Sequence, residues 1–352
     1  MNTLWFAPNN GGVAAGTLVD YDTMFAQTNL YWHRRIQKLL LLNNVTRNRG
    51  QNWINSILAP FIQKTGIEVS IVSATPTGRQ CKTVGVQNAS LANDIQLIGW
   101  LNSAGVTVHD LFMESTVSRF DGICATYTDP NMSLSLRLDD MIWYMQGVKN
   151  SLGSDTPSFG LVDATNAKGN QWVQNHLNVA TVSAVFDYVL SRLAAETSPA
   201  VSLSTIQIDQ GYENHIDFDS GGLTSVAWTN TLADYLISLG LRVVLELTSV
   251  DPASNHDFNE KIVTLANAYK ASGTSISNFM HIAFRAYPTN ELPEPVPYTE
   301  TSNVLEVADI FNPMPAMFAR RRGNVRDGLG RSRGSDYGWS VSRTAPQTRY
   351  TQ

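Results

Sequence analysis

Two glutamates stand near the ends of strand-like runs. Glu114 closes "VTVHDLFME", and Glu246 lies late in "RVVLELT". Side chains in a strand alternate between faces, so Glu114 shares parity with Asp110, and Glu246 with Val244 and Thr248. If both runs belong to one barrel, that parity points both carboxylates into its mouth. Two opposed carboxylates can cleave a glycosidic bond, one protonating the leaving oxygen while the other attacks the sugar. A denser acidic stretch, "IQIDQGYENHIDFDSGG" (206–222), holds Asp209, Glu213, Asp217 and Asp219. These are oxygen donors of the kind a divalent cation takes. The stretch lacks the spacing of an EF-hand loop. It reads more simply as a polar loop before a helix starting near Thr224, capped by Asp219 or Ser220. No metal site is assigned.

Other signatures are absent from the sequence. The six histidines (33, 109, 176, 215, 256, 281) form no HExxH pattern. His109 and His281 fall in strand-like runs and are expected to be satisfied core histidines. There is no GxSxG elbow and no GxxxxGK[ST] phosphate loop. "GLGRSRG" (328–334) misses the GxGxxG spacing, so no cofactor is expected. Cys81 and Cys124 are too few for a disulfide framework or a cysteine zinc site.

Basic residues segregate to the ends. From Arg320 to Gln352 there are eight arginines and two aspartates, in a chain of 352 residues with net charge -5. A second cluster holds Arg34, Arg35, Lys38, Arg47 and Arg49. Arg320, Arg321, Arg322, Arg326, Arg331 and Arg333 mix with Tyr337 and Trp339, a composition suited to phosphate pairing and base stacking. It suits docking on a neighbour's acidic face equally well. The charged fraction is 16%, low against roughly 25% in average globular proteins. Such a surface desolvates cheaply, which favours subunit contacts.

The positioning elements follow a repeated grammar: amphipathic helix, glycine, short β-rich run. Gly66, Gly105, Gly240 and Gly273 fall where helices should stop. Helices alternating with apolar strands make the chain α/β and helix-rich. Counting "LWFAP" and "KLLLLNN" as strands gives eight, which suggests a (βα)8 barrel. The second of these also reads as continued helix, so a predominantly α-helical coat-protein-type fold is the alternative. Residues 1–287 are expected to form the globular domain, 288–319 a proline-rich link with a short helix, and 320–352 a basic arm. On the barrel reading, Glu114 and Glu246 are similar to the paired glutamates of the large clan of (βα)8 glycosidases, which carries them on strands four and seven. The resemblance implies a retaining hydrolase. Met113 stands where that clan usually has asparagine before the acid/base glutamate.

Two functions therefore compete. The charge layout, scarce lysine and lack of a catalytic motif give the style of viral structural proteins. They favour a non-enzymatic, self-assembling coat or particle subunit of a virus or phage. Such a subunit would form a homo-oligomer of many copies, contacting RNA or DNA through its basic ends, in the virion or host cytoplasm. The alternative is the glycoside hydrolase. No run reaches the length of a membrane span and no signal peptide is evident, so no membrane partner is expected.

Overall fold

A computed structural model describes residues 2–8, 21–26, 31–73, 84–114, 130–163, 178–282, 300–313, 321–323 and 336–338. Eight strands form a closed parallel barrel: β1 (Thr3–Ala7), β2 (Lys38–Leu42), β3 (Glu68–Val72), β4 (Val108–Glu114), β5 (Ser158–Asp163), β6 (Leu203–Ile208), β7 (Arg242–Leu247) and β8 (Asn278–Ile282). β1 closes the ring on β8, with Trp5 in register with Met280. The helices are α1 (Tyr21–Ala26), α2 (Asn43–Trp53), α3 (Ala59–Thr65), α4 (Val84–Ser103), α5 (Pro130–Leu152), α6 (Val179–Ala194), α7 (Val226–Ser238), α8 (Asn255–Ala271) and α9 (Glu300–Phe311). A π-helical turn, Ile54–Leu58, joins α2 to α3. Among the described residues, no helix is long and apolar enough to cross a membrane.

The (βα)8 expectation holds, and the predominantly α-helical alternative does not. "KLLLL" misleads because it is buried on both faces. Leu39 and Leu41 pack into the layer between barrel and helices, while Leu40 joins the barrel interior. Parallel strands covered on both sides read as unbroken apolar runs. The helix stops at Gly66, Gly105, Gly240 and Gly273 all have φ between 67° and 81°. Helix starts are capped by Asn178, Ser225 and Ser254, each accepting from a first-turn N–H. For α7 this places the cap on Ser225 rather than Asp219 or Ser220. Asp217 accepts a second bond there, from the Val226 N–H at 2.7 Å.

Inside the barrel, Trp5, Leu40, Phe112, Val162, Val244 and Met280 form the filling. Gly160 is required there, since a Cβ on it would lie 2.6 Å from the Phe112 ring. Beneath this layer sits a charged floor. Lys38 Nζ lies 2.5 Å from Asp110 Oδ2, and Arg242 Nη2 lies 2.6 Å from Asp110 Oδ1. Ser70 Oγ donates to the same carboxylate, and both cations lie over the Trp5 ring. His109 is exposed, contrary to the core expectation. It is the second residue of β4, at the end away from the mouth. The His281 side chain lies outside the described residues. Phe311 of α9 stacks on Phe279 of β8 at 3.8 Å, tying that helix to the barrel.

Candidate active site

The strand pairing brings acidic groups to the C-terminal end of the barrel. Ile208 is in register with Leu245, so Asp209 and Glu246 follow side by side on adjacent strands. Val244 belongs to the interior filling, and alternation turns Glu246 inward with it. Phe112 is likewise interior, so Glu114 faces the same space from β4. Glu246 is 5% exposed, Glu114 is partly exposed, and Gln207 is 1% exposed.

Glu246 is the most perturbed of these groups. Burial pushes its carboxyl well above the usual range. The Asp209 charge and an Asp209–Glu246 hydrogen bond push the same way, as does the charge of Glu114. One bond opposes them: Gln207 Nε2 donates to Glu246 Oε2 at 2.9 Å. The balance favours the neutral form of Glu246 at the C-terminal end of the barrel, where barrel enzymes place their chemistry.

The loop after β6 is locked in place by its own polar residues. Burial works against charge on Glu213, but bonds from Ser249 Oγ (2.5 Å), the Val250 N–H (2.9 Å) and Lys261 Nζ (3.1 Å) outweigh it. Its carboxyl consequently sits below the ordinary range. His215 is buried and held neutral, its pKa lowered by that burial. A neutral ring can donate at Nδ1 to the Gly211 carbonyl, 2.9 Å away, and accept at Nε2 from the Tyr269 hydroxyl at 2.6 Å. Gly211 directly follows Asp209 and Gln210, so these bonds fix the chain that carries the dyad. The acidic stretch is thus dispersed: Asp209 meets Glu246, Glu213 braces the loop, Asp217 caps α7, and Asp219 accepts from the Gly221 N–H. Among the described residues, no group of three or more His, Cys, Asp and Glu is placed to hold a metal ion.

Another buried carboxylate lies on a helix outside the barrel. Asp94 of α4 accepts from Asn43 Nδ2, from Ser73 Oγ at 2.5 Å and from the Tyr144 hydroxyl at 2.6 Å. Burial raises its pKa to about 6 despite these bonds and the charge of Arg47. Asn43 and Ser73 directly follow β2 and β3, so the cluster ties two strand ends to α4 and α5.

The first basic cluster is drawn largely into the fold. Lys38 lies in the barrel floor, paired with Asp110 and, at 3.1 Å, with Glu68. Arg35 binds Asp309 at 2.7 Å, and Arg49 pairs with Asp22. Arg47 faces Asp94 electrostatically, and Arg34 lies 6.0 Å from the Tyr31 ring centroid. Of the arm, Arg321–Gly323 pairs antiparallel with Asp336–Gly338, setting Arg322 opposite Tyr337. The side chains of Arg321, Arg322 and Tyr337 lie outside the described residues, as do Arg320, Arg326, Arg331, Arg333 and Trp339.

No protein-family model and no curated protein matches the chain. Solved structures similar to it include a fungal β-1,4-galactanase, with 12% identity, 81% of this chain and 90% of that one covered, and a TM-score of 0.48. The catalytic domain of a β-amylase from Paenibacillus polymyxa has 7% identity, coverage of 89% and 99%, and a TM-score of 0.47. An endo-β-N-acetylglucosaminidase from Cordyceps militaris has 11% identity, coverage of 89% and 91%, and a TM-score of 0.44. Likeness at this level assigns no activity. The expectation of a coat or particle subunit is nonetheless overturned. The chain is a closed (βα)8 barrel, and Arg35, Lys38 and Arg49 of the basic segment are paired with carboxylates within the fold. The associated expectations of a capsid role, virion location and nucleic-acid binding are corrected with it.

Gln207 is a site residue that sequence reasoning missed, and the sequence offers Asp209 only as an oxygen donor for a cation. The signal was present: in "STIQIDQ", both share parity with Thr205, as Glu246 does with Val244.

Proposed function

We propose that this chain is a glycoside hydrolase in which the Glu246–Asp209 pair supplies the proton and Glu114 is the facing carboxylate. The observation that carries the reading is the buried Glu246, held in a proton-retaining environment beside Asp209 at the C-terminal end of the barrel. The family resemblance would make Glu246 the ionised nucleophile. Its surroundings favour the neutral acid instead, because a nucleophile needs charge and this site opposes charge. In the first step Glu246 gives its proton to the glycosidic oxygen as the bond to the anomeric carbon breaks. The Glu114 carboxylate attacks that carbon, and the leaving group departs as an alcohol. In the second step Glu246, now ionised, takes a proton from water, which displaces Glu114 and releases the sugar.

The test is release of nitrophenol from a panel of p-nitrophenyl glycosides and of reducing ends from β- and α-linked oligosaccharides. Turnover of at least one substrate is expected, falling by about 10²–10⁴-fold in Glu246→Gln. No turnover across the panel, or undiminished turnover in Glu246→Gln and Glu114→Gln, contradicts the reading.

A further inference from the structure

Gln207 sits in the barrel interior directly below Asp209 on the same face of β6, and it is 1% exposed. Its Nε2 donates to Glu246 Oε2 at 2.9 Å. Its own carbonyl oxygen, Oε1, is buried without a hydrogen-bond partner. A buried carbonyl left unpaired costs roughly 1–3 kcal/mol. Leucine or methionine would fill the same space without that cost. A glutamine retained on these terms is explained by what its other end does.

That other end donates to Oε2 of Glu246 and makes no hydrogen bond to Oε1. We propose that Gln207 is a positioning residue that selects which carboxyl oxygen of Glu246 carries the transferable proton and stabilises the carboxylate once that proton has left. The role rests on reading Glu246 as the acid. The geometry gives the reason. An N–H aimed at Oε2 opposes protonation of that oxygen, so the proton stays on Oε1. When Glu246 ionises, the same N–H becomes a charge-assisted donor, roughly twice as strong as a neutral one. The bond therefore tightens as proton transfer proceeds.

The experiment uses the full chain and infrared difference spectroscopy. The band of the protonated Glu246 carboxyl is identified by its loss in Glu246→Gln and then titrated with pH. In Gln207→Met, which removes the donor and keeps the volume, the band should persist to higher pH by about one unit, a tenfold change in the equilibrium. On the best substrate, kcat should fall about tenfold or more with KM little changed. Gln207→Leu, which also removes the donor, should move the titration in the same direction and serves if the methionine variant does not fold. An unchanged titration in a folded variant overturns the inference, whatever the kinetics. Because the band is read without substrate, absence of any hydrolysis would sink the proposed activity and leave this titration able to decide the role of Gln207.

Discussion

On the proposed reading, Glu246 serves chemistry at the expense of stability. Its raised pKa means that the folded state keeps a proton the unfolded chain releases above about 4.5. Stability from this group is thus complete below that pH and is lost as pH rises through the folded value. Glutamine needs no proton, so Glu246→Gln is expected to be more stable at neutral pH by about 0.5–2 kcal/mol. Its advantage should widen with pH in calorimetry, and equal or lower stability at every pH contradicts this. Asp94 behaves alike on a clearer scale. Its carboxyl is raised from 3.8 to about 6, so its contribution is present below 3.8 and lost towards pH 6. That loss is roughly 3 kcal/mol, at about 1.36 kcal/mol per pH unit. Denaturant titrations from pH 4 to 6 should show one fewer proton linked to unfolding in Asp94→Asn than in the parent. Parity alone placed Glu114 and Glu246 on interior faces. It gave no warning of Asp94, because the partners at Asn43, Ser73 and Tyr144 are far apart in sequence.

At the scale of elements, strands were legible and loops were not. "RVVLELT" and "IEVSIVSA" announce themselves by apolar content and a preceding glycine stop. "KLLLLNN" stayed ambiguous until its two-sided burial was visible. The loop after β6 hid its logic altogether. Its acidic residues read as a cation site or a polar surface, whereas Glu213 and His215 are braces. The barrel interior is equally exacting. Gly160 faces Phe112, which meets Trp5 edge-on at a centroid distance of 6.0 Å. Gly160→Ala should therefore destabilise by about 1–3 kcal/mol through overpacking. Chemical denaturation reads this directly. A change under about 0.5 kcal/mol would mean that the filling yields freely.

For the whole molecule, charge layout proved a poor guide to role. The cluster around residues 34–49 looked like a polyanion face because sequence shows charge and hides partners. Lys38 was the least legible case: a cation in a leucine run, buried at 3% exposure in the barrel floor. All eight barrel strands and their helices precede residue 314. Removing 320–352 is therefore expected to leave the far-ultraviolet circular dichroism of the barrel and its melting temperature nearly unchanged. A truncated chain that fails to fold would give the arm a structural role in the barrel.

The most direct measurement separates the acid from the attacking carboxylate by the leaving group's need for a proton. A dinitrophenolate leaves unaided, whereas a sugar alcohol must be protonated. First-turnover (burst) rates of Glu246→Gln and Glu114→Gln on a dinitrophenyl glycoside and on the matching oligosaccharide decide the matter. With Glu246 as proton donor, Glu246→Gln keeps most of its bond-breaking rate on the dinitrophenyl substrate and loses it on the oligosaccharide, while Glu114→Gln loses both. Equal loss on both substrates in Glu246→Gln would contradict the assignment.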